Sequence, residues 1–200
     1  MGDAEVGLRE LKKERTRRAL LRAAYRLFDD KGYDGTTITE IAKAAEVSPG
    51  TFFNYFGTKE DLLFADRSHI VEAGLRELGE RHPGETPGDM VLRAYEAMLA
   101  VERTGDPDGE LGPHRARLVL TVPALHATSL KRLFDVQQRM AVELHRTCAD
   151  ELDEIEAAVI VGAFTGAGIA ALRAAIEAEL PLEPALRRAL DSVGRRFHGS

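Results

Sequence analysis

The stretch TITEIAKAAEVSPGTFFNYFGTK, residues 37–59, decides how the N-terminal part of this chain folds. Thr37 is followed three positions later by Glu40, the spacing of a capping box: the hydroxyl accepts from a first-turn backbone N–H and the carboxylate reaches back to the cap. Ile38, Ile41, Ala42 and Ala45 form an apolar stripe at helical spacing. Glu46 and Val47 make the turn, with Val47 directed to a small core. Ser48 caps the next helix, and Pro49 takes its first position, where a missing N–H costs nothing. Gly50 leaves little bulk at the leading end, so a backbone can approach a phosphate there. Phe52 and Phe56 are four apart and share a face toward the core, while Thr51 and Tyr55 share another. Gly57 ends this helix, and Thr58 with Asp61 repeats the capping-box pattern. Capping boxes alone also fit three ordinary short helices in a bundle. The aromatics of residues 52–56 weigh against that, because one short helix cannot bury all of them on one side. Two short helices and a tight turn, the second with exposed aromatic and hydroxyl groups, predict a helix-turn-helix that sets one helix into the DNA major groove.

Read upstream, TRRALLRAAYRLFDDKGYDGTTITEIAKAAEVSPGTFFNYFGTKEDLL, residues 16–63, resembles the TetR family of bacterial transcriptional repressors. A first helix ending in Leu27-Phe28, the loop KGYDGTT at residues 31–37, then ITEIAKAAEVS and PGTFFNYFGTKEDLL stand in that family's order and spacing. One departure is TFFNYF, where many members carry a Tyr in place of Phe53 and a His in place of Tyr55; size and face are kept, and the operator sequence is what the difference puts in doubt. The resemblance implies a ligand-responsive repressor that binds a palindromic double-stranded DNA operator as a homodimer. The contacts it implies are Thr51, Asn54 and Tyr55 on the DNA, Ser48 and Gly50 at the leading end of the reading helix, and Thr37 and Lys59 on phosphates.

Composition fits this expectation. Two hundred residues suffice for one or two domains with a substantial core. Leu, Ala, Arg and Glu dominate and Trp is absent, which predicts an all-α chain. No apolar run reaches the roughly 18–20 residues needed to span a membrane, and residues 1–11 lack a signal-peptide core. Met1-Gly2 is followed by Val6 where an acylation site wants Ser or Thr. The single cysteine, Cys148, rules out an internal disulfide, reads as a packed helix residue and suits a reducing cytoplasm.

The formal net charge is −6, which argues against DNA binding until its distribution is read. Arg9, Lys12, Lys13, Arg15, Arg17, Arg18, Arg22 and Arg26 fall in one window, opposed there by Glu10 and Glu14. Phosphate neutralisation needs such local positive charge. Pairs such as Glu14 with Arg18 account for part of the window as a solvated helix face.

The sequence predicts two domains, a helix-turn-helix domain over residues 1–61 and a helical effector-binding and dimerisation domain over residues 62–200. Helices are expected over residues 62–80, 89–102, 114–122, 125–150, 154–179 and 184–197, with breaks at 82–88, 104–113 and Pro181. AAVIVGAFTGAGIAALRAA, residues 157–175, is apolar all round and predicts a helix buried on most sides. Its interior glycines each cost about 1 kcal/mol relative to alanine, a cost that close helix approach offsets. It reads as a central core helix or, as the resemblance implies, a twofold interface made with residues 184–197. Gly162, Gly166, Ile169, Leu186, Leu190 and Val193 are the candidates.

The resemblance also implies an effector pocket in the middle helices, for a small, apolar or acyl-type molecule. Candidate lining residues are Tyr95, Met98, Leu118, Thr121, Val122, Leu125, His126, Phe134, Gln138 and Phe164. Most of such a stripe is ordinarily core. Thr121, His126 and Gln138 stand out as polar groups on apolar stretches, the pattern of a pocket. RLVLTVPAL, residues 117–125, is similar to the sensor domains of actinobacterial members, some of which bind acyl-CoA or other bulky apolar effectors. The six histidines share no spacing, and the chain has no HExxH, zinc-spaced cluster, nucleophile elbow or P-loop, so neither an enzyme nor a metal or cofactor is expected. The alternative is a helical adaptor that keeps the fold and binds a ligand or protein without DNA.

Overall fold

The first helix, α1 (Gly2–Lys31), is amphipathic in its second half, burying Leu20, Leu21, Ala24, Tyr25 and Phe28 along one side. It stops at Gly32, which adopts φ 77° and donates its N–H to the Phe28 carbonyl at 2.9 Å, a left-handed helix end suited to glycine. The computed structural model describes the backbone of residues 2–64, 67–105, 109 and 111–197, and side chains from residue 11 onward. Every regular element among the described residues is a helix. The chain divides into two compact units, Met1–Ala65 and Asp66–Ser200.

The first unit adds α2 (Ile38–Ala44), α3 (Pro49–Phe53) and α4 (Asp61–Phe64) to α1. Its buried side chains are those of α1 with Tyr33, Ile41, Ala42, Phe52, Phe56, Leu62 and Leu63. Phe28 and Tyr33 rings lie 5.1 Å apart and Phe52 and Phe56 rings 5.7 Å apart, so aromatic contacts fill much of a small core.

The second unit comprises α5 (Ser68–Gly79), α6 (Pro87–Gly105), α7 (Leu111–Thr121), α8 (Pro123–Thr147), α9 (Glu154–Glu177) and α10 (Leu182–Phe197). The helix expected over 62–80 is described as two pieces, α4 and α5. Arg67, before α5, has φ −109° and ψ 7°, off the helical region. The next helix begins earlier than expected because Thr86 and Asp89 cap it reciprocally: Thr86 N–H donates to Asp89 Oδ2 at 2.9 Å and Asp89 N–H to Thr86 Oγ1 at 3.2 Å. Pro87 is thereby its first residue. Leu78, Met90, Val91, Met140, Leu144, Cys148, Val161, Phe164 and Leu190 belong to one core cluster. Cys148 lies 2% exposed with its Sγ 3.6 Å from Met90 Sδ, and burial pushes its thiol pKa up.

Two expectations about α9 need correction. By length and composition this helix, with mean hydropathy 1.9 over 18 residues, is apolar enough to cross a membrane. Its charges sit near its ends, so a search for unbroken apolar runs misses it. It is also not buried on most sides. Ala157, Ile160, Val161, Phe164, Thr165, Gly168 and Ala175 are buried, whereas Ile155 is 74% and Val159 59% exposed. A Cβ at Gly168 would stand 3.1 Å from Leu186 Cδ1, so this glycine allows α9 and α10 to approach closely; a Cβ at Gly162 or Gly166 would meet nothing within 4 Å.

Candidate nucleic-acid interface

Both caps of the helix-turn-helix form as the residues dictate. Thr37 has extended backbone, Glu40 N–H donates to its Oγ1 at 3.3 Å, and Thr37 N–H donates to Glu40 Oε2 at 3.0 Å. Lys31 Nζ donates to Glu40 Oε1. The Lys31 hydrogen bond foremost, with those from Thr37, lowers the Glu40 pKa from 4.5 to about 2. A carboxylate whose pKa is lowered by folding contributes stability above its unfolded value, and that contribution is lost as pH falls through the folded one. Amide protection in α2 is therefore expected to weaken between about pH 4.5 and 2, and Glu40→Gln to remove most of that dependence. Unchanged protection in wild type over that window, followed by hydrogen exchange, would contradict the assignment.

The turn uses Glu46 at φ 56°, and Val47 N–H donates to the Ala42 carbonyl at 2.9 Å. Ser48 has extended backbone and its Oγ accepts from Thr51 N–H at 3.0 Å; the Ser48 and Thr51 hydroxyl oxygens are 2.9 Å apart. Helix α3 is shorter than expected, ending at Phe53 with Asn54 as its cap, so Tyr55 lies in the following turn. Phe52 is 0% and Phe56 2% exposed. Burying that pair leaves Pro49, Gly50, Phe53 and Asn54 exposed and Thr51 and Tyr55 half-buried on the outer side. Phe53, 55% exposed, was absent from the expected contacts. It follows from helical geometry: once Phe52 faces the core, its neighbour is turned about 100° away.

Lys59 takes a different role from the expected phosphate contact. Its Nζ donates to the carbonyls of Tyr33 at 2.6 Å and Thr36 at 3.0 Å and lies 4.1 Å from the Tyr33 ring centroid. Tyr33 Oη donates to Glu60 Oε1 at 2.8 Å. Desolvation foremost, with Glu60, raises the Tyr33 pKa, and the hydrogen bond from Tyr33 lowers that of Glu60. Lys59 and Glu60 thus staple the 32–36 loop to the turn before α4. Lys59→Met is expected to destabilise the first unit by about 1–3 kcal/mol, the value of lost charged hydrogen bonds. A weakened DNA complex with unchanged thermal unfolding would restore the phosphate role.

Along α1, Lys12, Lys13, Arg15, Arg22 and Arg26 are exposed. Arg18 donates to Glu14 at 3.1 Å and the Arg17 guanidinium lies 5.7 Å from the Phe56 ring centroid. The side chain of Arg9 falls outside the described residues.

In the second unit the effector candidates do not converge. Leu125 and Phe164 are 0% exposed and belong to the packed interior, as does Leu118. Met98 packs against the core, and the Tyr95 hydroxyl pairs with Thr165 Oγ1 at 2.5 Å. Thr121, His126, Phe134 and Gln138 are exposed, and the Thr121 hydroxyl donates to the Arg117 carbonyl of its own helix. Val122 is the cap residue of α8. None of the ten lines the cavity of about 180 Å³ that opens among α6, α7, α9 and α10, whose walls include Leu99, Arg115, Leu172 and Leu186. Polar residues on an apolar stretch mark the outward edge of these helices, not a pocket. Of the interface candidates, Gly162 and Gly166 stand open and Ile169 is half-buried, whereas Leu190 is in the chain's own core and Leu186 and Val193 pack against it. Their i, i+4 row is the face by which α10 holds to its own protomer.

A family profile described as bacterial regulatory proteins, tetR family, matches residues 20–65, and one described as the MftR C-terminal domain matches residues 89–198. The chain is 37% identical over 196 residues to the HTH-type transcriptional regulator TcmR of Streptomyces glaucescens, covering 94% of this chain and 86% of that protein. It is 36% identical over 89 residues to the HTH-type transcriptional regulator HbdR of Aromatoleum sp. (strain CIB), covering 44% of this chain and 39% of that protein. A TetR-like transcriptional regulator from Rhodococcus sp. shares the fold with a TM-score of 0.54 at 20% identity, over 92% of this chain and 97% of that one.

Proposed function

This chain belongs to the TetR family of bacterial regulatory proteins and is a helix-turn-helix transcriptional regulator, not an enzyme, and we propose that it acts as a repressor. It binds a palindromic operator in the cytoplasm as a homodimer and leaves it when a small effector binds the helical unit. Carrying this reading is the division of residues 51–56, across α3 and the turn after it: Phe52 and Phe56 fasten the segment to the core while Thr51, Phe53, Asn54 and Tyr55 remain on the outer side. Asn supplies the paired donor and acceptor that match an adenine edge, and an aromatic side chain suits a thymine methyl. Exposed Lys12, Lys13, Arg15, Arg22 and Arg26 supply positive charge for phosphates. The open face of α9 around Gly162 and Gly166 suits close approach of a second copy.

An effector that binds one conformer better shifts the population toward it, by no more than its differential affinity. Fluorescence anisotropy on a selected operator tests the reading helix. Asn54→Ala and Phe53→Ala are each expected to weaken specific binding by about 1–3 kcal/mol, roughly 5–150-fold, with thermal unfolding unchanged because neither side chain is buried. Wild-type affinity in both variants would overturn the assignment of α3.

A further inference from the structure

We propose that the cavity among α6, α7, α9 and α10 is a site for a small amphipathic carboxylate, held by Arg115 at its head and by leucines along its body. The inference rests on the ligand-responsive reading above and gives that ligand a chemical class and a place. The cavity holds about 180 Å³. That is below the roughly 300–1,000 Å³ of pockets for drug-sized molecules, so the occupant is small. Leu99, Leu172, Leu182 and Leu186 supply apolar wall; of the charged groups that line it, Arg103 is paired with Glu183 at 2.8 Å, and Arg115, from the first turns of α7, is paired with Glu102.

Arg115 is only 17% exposed, and one of its N–H groups donates to Glu102. A guanidinium carries five N–H donors in a fixed fork. Glu102 is the one acceptor of Arg115 among the described residues. No sealed side-chain polar atom among them lacks a partner, so the remaining donors reach open space. A planar fork with unused donors beside leucine side chains matches a carboxylate on an apolar body.

Glu102 is the switchable element. It also accepts from Arg67 Nη2 at 2.8 Å, so one carboxylate ties the start of α7 and the residue before α5 to α6. Burial raises the Glu102 pKa, but the two guanidiniums outweigh it and hold the group ionised. A ligand carboxylate on Arg115 competes with Glu102 for the same cation. Exchange releases α7 from α6 and leaves Glu102 to Arg67 alone. No proton moves and no covalent bond changes.

Isothermal titration of the full-length protein with octanoate and with octanamide, its neutral isostere, tests the site. The expected result is octanoate binding at least tenfold tighter than octanamide. Arg115→Met should bring the two together, and Ala116→Phe, which fills the cavity, should weaken both at least tenfold. Should Arg115→Met fail to fold, carboxyl-labelled octanoate on wild-type protein gives the same answer by NMR: the bound carboxyl is expected to stay ionised at a pH where free octanoate is half protonated. Equal affinities, no saturable octanoate binding, or a preference that survives Arg115→Met would overturn the proposal. Failed octanoate binding by protein that still binds operator DNA would overturn this inference alone. Selective octanoate binding without operator binding would support it and overturn the repressor reading.

Discussion

Replacing Phe164 with alanine is expected to destabilise the second unit by about 3–5 kcal/mol, the cost of deleting a fully buried aromatic side chain and leaving a cavity. Phe164 is 0% exposed, and its ring stacks against Tyr95 and Phe197, each at 6.2 Å between centroids. It therefore joins α9 to both α6 and α10. For a chain of this length such a loss lowers the melting temperature by on the order of 10 °C. Phe164→Leu, which keeps most of the volume, should cost far less. An unfolding free energy for Phe164→Ala within about 1 kcal/mol of wild type would mean that the side chain is not tightly packed, and would reopen its assignment to an effector pocket.

The second large effect concerns the open face of α9. Val159→Glu combined with Gly166→Glu adds two like-charged side chains to a surface of exposed apolar and small residues. Neither position is in the protomer core, so the folded monomer should keep its stability. If two copies meet on this face, both charges become buried without partners, and the dimer is lost. Loss of the second reading helix should then reduce operator affinity about 10³-fold or more, toward the non-specific level. Sedimentation and anisotropy on the same sample check both expectations. A double variant that stays dimeric and binds operator like wild type would place the interface elsewhere.

How legible these features were in the sequence depends on the range of the interactions that make them. Thr37, Glu40, Ser48, Pro49, Thr58 and Asp61 act on backbone groups within a few residues, so spacing alone foretold their caps. The pair Phe52 and Phe56 was equally plain, since a four-residue step returns to the same helical face. The structural contacts of Lys59 were not legible because its partners, the carbonyls of Tyr33 and Thr36, lie 26 and 23 residues away. The scatter of the effector candidates has a related reason. Residues 118–138 carry apolar and polar groups whose direction is set by packing, and Phe134 and Gln138 turned outward. Glu102 and Arg115, which meet at the cavity, are 13 residues apart on different helices, and neither belongs to a local motif. Leu186, Leu190 and Val193 formed a correct helical stripe; its partner was the protomer's own core.

Hydroxyl-radical footprinting on duplexes selected from a genomic fragment library tests the central claim most directly. A dimer reading with two copies of α3 predicts two symmetry-related protected patches on a palindrome. Their centres should lie about 34–36 Å, one DNA turn, apart or a multiple of it, and protection should fall steeply as salt rises from about 50 to 200 mM. Enriched duplexes with a single asymmetric patch, or no enriched duplex at all, would contradict it.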